Sequence, residues 1–209
     1  MTSTSPWNPG VTWTANGQQG SALSFAGNGA ARSIDPTTGS PGPVLHTDQS
    51  MTVSAWVRLG AMPTRNLIAV GQFGSRVTGF YLGVLRFDQG CQWSFSMPGA
   101  DSETATGWVN AAAPATITAA DVDTWVHLVG VYDAVASTVS LYVNGALAAT
   151  TTRAVAGWDA TGPLTVGAGL WTGANGSAPT QLINFWNGAI DTVTVYQGAV
   201  PAGSIATIP

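Results

Sequence analysis

The sequence predicts an all-β protein built from antiparallel strands. Three observations carry this expectation. Apolar residues recur at every second position through successive runs. Gly, Pro, Asn and Asp punctuate those runs at intervals of roughly ten residues, the spacing of a sandwich or barrel. No stretch of the 209 residues holds a helical period for more than about a turn.

Along the chain, Met51 to Arg58 alternates cleanly: Met51, Val53, Ala55 and Val57 share one face, and Thr52, Ser54, Trp56 and Arg58 the other. Gly79 to Phe87 alternates less cleanly and ends at Asp88-Gln89-Gly90, read as a three-residue hairpin loop. Gln92 to Met97 resumes, with Trp93, Phe95 and Met97 inward and Gln92, Ser94 and Ser96 outward. Ile117 to Val122 allows one short helical turn, and Trp125 to Tyr132 reads as a buried strand. Thr138 to Val143 runs into Asn144-Gly145, a dipeptide suited to a type I′ turn because both central residues need positive φ. In the return strand, Ala146 and Ala148 are expected opposite Val143 and Leu141. Leu164 to Gly167 and Gly188 to Tyr196 complete the set. Three long connections remain, Asp35 to Asp48, Met97 to Thr116 and Ala168 to Leu182. Loops of that length are more often functional than merely connecting.

Composition excludes several functions. The net charge is −4, 8% of residues are charged and 45% are hydrophobic. That apolar content can offset the entropy of ordering, so a disordered chain is excluded. Six arginines and no lysine cannot form the basic footprint of a nucleic-acid binder. A single cysteine, Cys91, excludes an internal disulfide framework. The most apolar stretch, Ala134 to Thr152, is broken by Asn144-Gly145, so no membrane span is expected. The first residues show no basic and apolar leader. With no charged linker or compositional break, residues 1–209 read as one domain, a module of a longer protein.

Six blocks, in order, resemble laminin-G-like jelly rolls of the concanavalin A-like lectin/glucanase superfamily, in their bacterial form. They are Val11-Thr12-Trp13 with Gly20 to Gly27; Met51 to Arg58; Asp123 to Asp133; Leu141-Tyr142-Val143-Asn144-Gly145; Pro163 to Gly167; and Asn187 to Tyr196. The chain carries Ala26 where the family writes Asp, and Asn144 where it usually writes Asp. The lysine-free, Ala/Gly/Thr-rich usage agrees with a bacterial, GC-rich source. The resemblance implies a two-sheet antiparallel β-sandwich, one sheet concave and one convex. It also implies a secreted or cell-surface location and a ligand on the concave face or its rim. Fold alone does not decide the ligand.

The chemistry-bearing residues narrow the choice. Glycoside hydrolysis ordinarily needs two carboxylates about 5–10 Å apart. The chain holds one Glu, Glu103, in a loop, and no strand carries two outward acids. Asp121 and Asp123 read as turn and cap residues. His127 reads as a packed, hydrogen-bonded histidine and Cys91 as a small buried hydrophobe. No zinc spacing, nucleophile elbow or phosphate loop is present. The resemblance implies a structural Ca2+ at Gly27 and Asp191, with Asn28 a substitute for the missing acid at 26; Asp191 bonded to backbone amides is the competing reading. Asp101-Ser102-Glu103 offers a second, rim site, with a solvated loop the competing reading.

Nine tryptophans remain. Aromatic faces stack on sugar C–H faces, and amides or guanidinium groups add hydrogen bonds. Trp13, Trp93 and Trp125 are read as core. Trp56 and Arg58 share a sheet face and are candidates for ligand contact. Trp108, Trp158, Trp171 and Trp186 lie in or beside long loops, and Trp108, Trp158 and Trp171 are taken as rim candidates. The expected function is a non-catalytic binding module for a glycan or polysaccharide. A protein-interaction, adhesion or spacer domain attached to an enzyme or toxin is the alternative.

Overall fold

The computed structural model describes residues 9–171 and 181–209. Among them the chain forms β1 (Val11–Thr14), β2 (Ala22–Ala26), β3 (Ala31–Arg32), β4 (Met51–Leu59), β5 (Leu67–Phe73), β6 (Thr78–Phe87), β7 (Gly90–Met97), β8 (Val109–Ala112), β9 (Trp125–Asp133), β10 (Thr138–Val143), β11 (Ala146–Thr152), β12 (Leu164–Val166), β13 (Gly169–Trp171), β14 (Gln181–Ile183) and β15 (Asn187–Gln197). Two antiparallel sheets stack face to face. The seven-stranded sheet runs β1-β2-β15-β4-β9-β10-β11, and the six-stranded sheet β3-β12-β5-β6-β7-β8. The hairpin β13-β14 stands apart as a two-stranded sheet. This is the all-β fold that the alternating pattern predicts, in the two-sheet form that the resemblance implies.

Alternation decides which residues meet between the sheets. Met51, Val53, Ala55, Val57 and Leu59 of β4 are fully buried. They face Phe80 and Leu82 of β6 and Trp93, Phe95 and Met97 of β7 within one apolar cluster. Each of the larger of these side chains contributes roughly 1.5–3 kcal/mol on leaving water. The layers are so close that Gly130 of β9 has no room for a side chain: a Cβ there would lie 2.4 Å from the Phe95 ring.

The turns obey local chemistry, with two corrections. Asn144 and Gly145 have φ of 50° and 79°, as a type I′ turn demands, and Val143 pairs with Ala146. A bulge at Leu141/Tyr142 then sets Leu141 opposite Ala149 instead of Ala148. Phe87 pairs with Gly90, so the loop is the two residues Asp88-Gln89 and Gly90 already belongs to β7.

Two connections read as loops contain strands. The Met97–Thr116 segment holds β8, paired to β7, and the Ala168–Leu182 segment contributes β13 and the start of β14. β5 shows no period of two because it is buried at every position. Gln72 illustrates its cover. Its side-chain amide donates to the Leu45 and Ala160 carbonyls, 2.6 Å each, and accepts from the Val44 and Leu45 amides at 3.1 and 3.0 Å. One saturated side chain thereby pins two loops to β5.

Candidate functional site

The outward face of the six-stranded sheet is not fully covered. A cavity of about 450 Å³ opens there, lined in part by Ile68 of β5, Tyr81 and Leu85 of β6, Ser94 and Ser96 of β7, and Asn110 of β8. Alternation places these side chains: Phe80, Leu82, Phe95 and Ala111 point into the sandwich, so their neighbours point out. Trp108, just before β8, and Trp171, at the end of β13, add two further aromatic walls; Asn66, Ile183 and Asn184 complete the rim.

The rings form a connected series. Tyr81 and Trp108 have centroids 5.6 Å apart, and Trp108 and Trp171 6.4 Å apart, each pair tilted by 33°. Trp108 is 38% exposed, so part of its indole remains open to solvent. Tyr81 is held rigidly: its hydroxyl accepts the Thr78 amide at 3.0 Å and donates to the Leu170 carbonyl at 3.4 Å. Burial pushes its phenol up to about 12, so it stays neutral. Trp171 is tied back by its bridge to Val77 and by the Leu170 amide, which donates to Thr78 Oγ1 at 2.7 Å. Among the described residues lining the cavity there is no carboxylate, arginine, histidine or cysteine.

The five tryptophan and arginine candidates separate. Trp108 and Trp171 line the cavity; Trp56, Arg58 and Trp158 do not. Trp56 lies on the outward face of the other sheet, its ring stacked on His127 at 4.7 Å and its Nε1 buried without a partner. Arg58 lies over the Trp125 ring at 5.2 Å. The C-terminal segment covers part of that face, where Ile205 and Ile208 pack on Val129, Val131 and Tyr142. Trp56 and Arg58, expected to contact a ligand, lie on this other sheet and are not brought together with Trp108 and Trp171. Trp158 Nε1 donates to the Pro98 carbonyl at 3.1 Å, which fastens its loop. Trp186, read as a loop residue, is fully buried and stacks on Trp93 at 6.5 Å. Trp13, read as core, is 61% exposed on the edge strand β1.

Sequence reasoning missed Tyr81, Asn66, Asn110 and Asn184 as site residues. It places Ser94 and Ser96 outward, and that small polar pair mid-sheet is the available signal.

The residues expected to hold Ca2+ do not form one ligand set. Asn187 pairs with Ala26 and Ile190 with Leu23, so Asp191 lies opposite Ala22. Gly27 and Asn28 are therefore about 15 Å from it along the strands. Both Asp191 oxygens already accept amides, from Gln19 at 2.8 Å and Thr192 at 2.7 Å. Asp101 likewise accepts the Ser75, Arg76 and Val77 amides at 2.7, 2.8 and 2.9 Å, and Glu103 pairs with Arg76 at 3.2 Å. One group of potential metal donors occurs among the described residues: His46, Asp48 and Asp159, all exposed and remote from the cavity lining.

Comparison with known proteins sets this geometry in a family. The family model Laminin_G_3, described as concanavalin A-like lectin/glucanases superfamily, matches residues 28–206. The chain belongs to the concanavalin A-like lectin/glucanase superfamily. No curated protein matches it in sequence comparison. Among solved structures, domain 4 of AbnA, an extracellular arabinanase of Geobacillus stearothermophilus solved with arabinotriose, is similar at a TM-score of 0.67 and 16% identity, over 96% of this chain and 82% of that one. The heptameric SAP-like pentraxin of Limulus polyphemus is similar at 0.57 and 15% identity, over 86% and 80% of the two chains. The CBM40 of the Ruminococcus gnavus IT-sialidase, bound to α2,3 sialyllactose, is similar at 0.54 and 14% identity, over 78% and 84%. At these identities the superfamily likeness is one of fold.

Proposed function

We propose that this chain is a carbohydrate-binding module that acts outside the cell and holds an oligosaccharide on the outward face of the six-stranded sheet. The observation that carries this reading is the series Tyr81–Trp108–Trp171 beside a row of uncharged hydroxyls and amides. Rings in contact offer flat apolar surface to sugar C–H groups, and Ser and Asn side chains match sugar hydroxyls. The arabinanase domain and the CBM40 module, structural neighbours solved with oligosaccharides, support it. Among the described residues no helix is long and apolar enough to cross a membrane.

The module binds without cutting. Hydrolysis of the usual kind needs an acid and a second carboxylate flanking the bond, and the described lining of the cavity supplies neither.

Affinity electrophoresis against plant, fungal and bacterial polysaccharides tests the proposal. At least one polymer should retard the protein and change its tryptophan emission. Trp108→Ala should weaken that binding about tenfold, the scale of one stacked ring. Trp56→Ala should leave it intact. Retardation by none of the polymers would overturn the reading, as would binding abolished by Trp56→Ala and spared by Trp108→Ala.

A further inference from the structure

The chemistry of the cavity specifies more than a sugar, a step that rests on the carbohydrate-binding reading. Ser96 belongs to the lining, is 3% exposed, and its Oγ has no hydrogen-bond partner. It is flanked across the sheet by Tyr81 on β6 and Asn110 on β8, both of which also line the cavity. Buried hydroxyls are almost always paired, because leaving one unpaired costs folding free energy. Its neighbour Tyr81 shows what the fold does where a hydroxyl is structural: that group is bonded on both sides. The Ser96 side chain thus stands in the lining with no protein partner for its hydroxyl.

Charge is the second half of the argument. Among the described residues no basic side chain lines the cavity. Four of the six arginines are engaged away from the lining: Arg58 lies over Trp125, Arg76 pairs with Glu103, and Arg86 donates to the Thr64 carbonyl at 2.8 Å. Arg153 is buried against the Met97 and Pro98 carbonyls. A carboxylated sugar entering this apolar and amide-lined site would lose hydration with no cation to replace it.

We propose that the site selects uncharged oligosaccharides and that the Ser96 hydroxyl is reserved for a hydroxyl of the bound sugar.

Two measurements on the full chain test this. Affinity electrophoresis compares neutral polymers (arabinan, xylan, galactan, mannan, glucan) with acidic ligands (polygalacturonate, alginate, hyaluronan), and titration calorimetry adds sialyllactose. Neutral polymers should bind, with an affinity that stays constant from low salt to about 1 M, since no ion pair is screened. The acidic ligands should not bind. Ser96→Ala should weaken the neutral ligand about three- to tenfold, the value of one hydrogen bond. The melting temperature of Ser96→Ala should be unchanged or raised, because the substitution removes an unpaired group. An acidic glycan that binds through Trp108 in a salt-sensitive manner would overturn the charge selection while leaving carbohydrate binding intact. Unchanged affinity in Ser96→Ala, or a lowered melting temperature with no effect on binding, would overturn the role of Ser96. Failure of every glycan would remove the binding reading itself, and this inference with it.

Discussion

Asp191 shows how a single side chain organises its surroundings. It is 8% exposed, and its two oxygens accept the Gln19 and Thr192 amides, so it fastens the β1–β2 turn to β15. Asp191→Ala should cost about 1–2 kcal/mol by removing the acceptor of two part-buried amides. Denaturant unfolding with added Ca2+ and with chelator checks this; the loss should be the same in both. His127 is a second case. Burial beside Trp56 holds its imidazole below its usual value, opposed in part by a bond to the Pro209 backbone. The unfolded chain then takes up a proton that the folded chain refuses, so stability falls as pH drops below about 6.5. Urea midpoints measured from about pH 7.5 to 5 should show the decline, and His127→Asn should flatten it. Tyr81 works at the other end of the scale. Its phenol, raised to about 12, stays neutral while the unfolded chain ionises, so stability also falls above about pH 10. Ultraviolet titration should show a late-titrating phenol that is lost in Tyr81→Phe.

At the scale of the element, the strands that build the site differ in how they declare themselves. β4 and β7 alternate, with apolar residues facing the core and Thr52, Ser54 and Arg58 or Gln92, Ser94 and Ser96 facing outward. β5 is buried throughout, and Gln72 on it bonds the loops that cover part of its outer side. β8 and β13 are four and three residues long, too short to express a period, and they exist through pairing to β7 and β14. These short elements carry Trp108 and Trp171 to the cavity. The site is therefore made by the least legible parts of the chain on the most legible sheet. The β10–β11 turn makes the converse point. Asn144-Gly145 declares its conformation locally, and Gly145→Val should cost about 1–2 kcal/mol by forcing a branched side chain to φ of 79°. Chemical denaturation measures it, with ligand affinity unaffected.

Across the whole molecule, two contacts between layers decide behaviour. Gly130 lets β9 approach the Phe95 ring, so Gly130→Ala should destabilise the sandwich by about 3 kcal/mol through overpacking, seen as a lowered denaturation midpoint. The C-terminal segment closes the outward face of the seven-stranded sheet over Val129, Val131 and Tyr142. Removing residues 202–209 should expose that apolar surface, raise binding of a hydrophobic dye and lower the melting temperature. Carbohydrate binding on the opposite sheet should persist.

The β class, the inward faces of the long strands and the type I′ turn are all legible along the chain. So is the poverty of charge, with 8% of residues charged. The structural features among these depend on neighbours one or two residues apart, so they are written locally. Which sheet face stays open is settled in three dimensions. Trp56 and Trp108 look equally suited to a ligand along the chain; one stacks on His127 on the seven-stranded sheet and the other stands beside a cavity on the opposite sheet. That difference comes from segments distant in sequence, the C-terminal segment and the β13–β14 hairpin, settling on opposite outer faces of the sandwich. Strand alternation orients a side chain outward but carries no record of what will be packed on top of it.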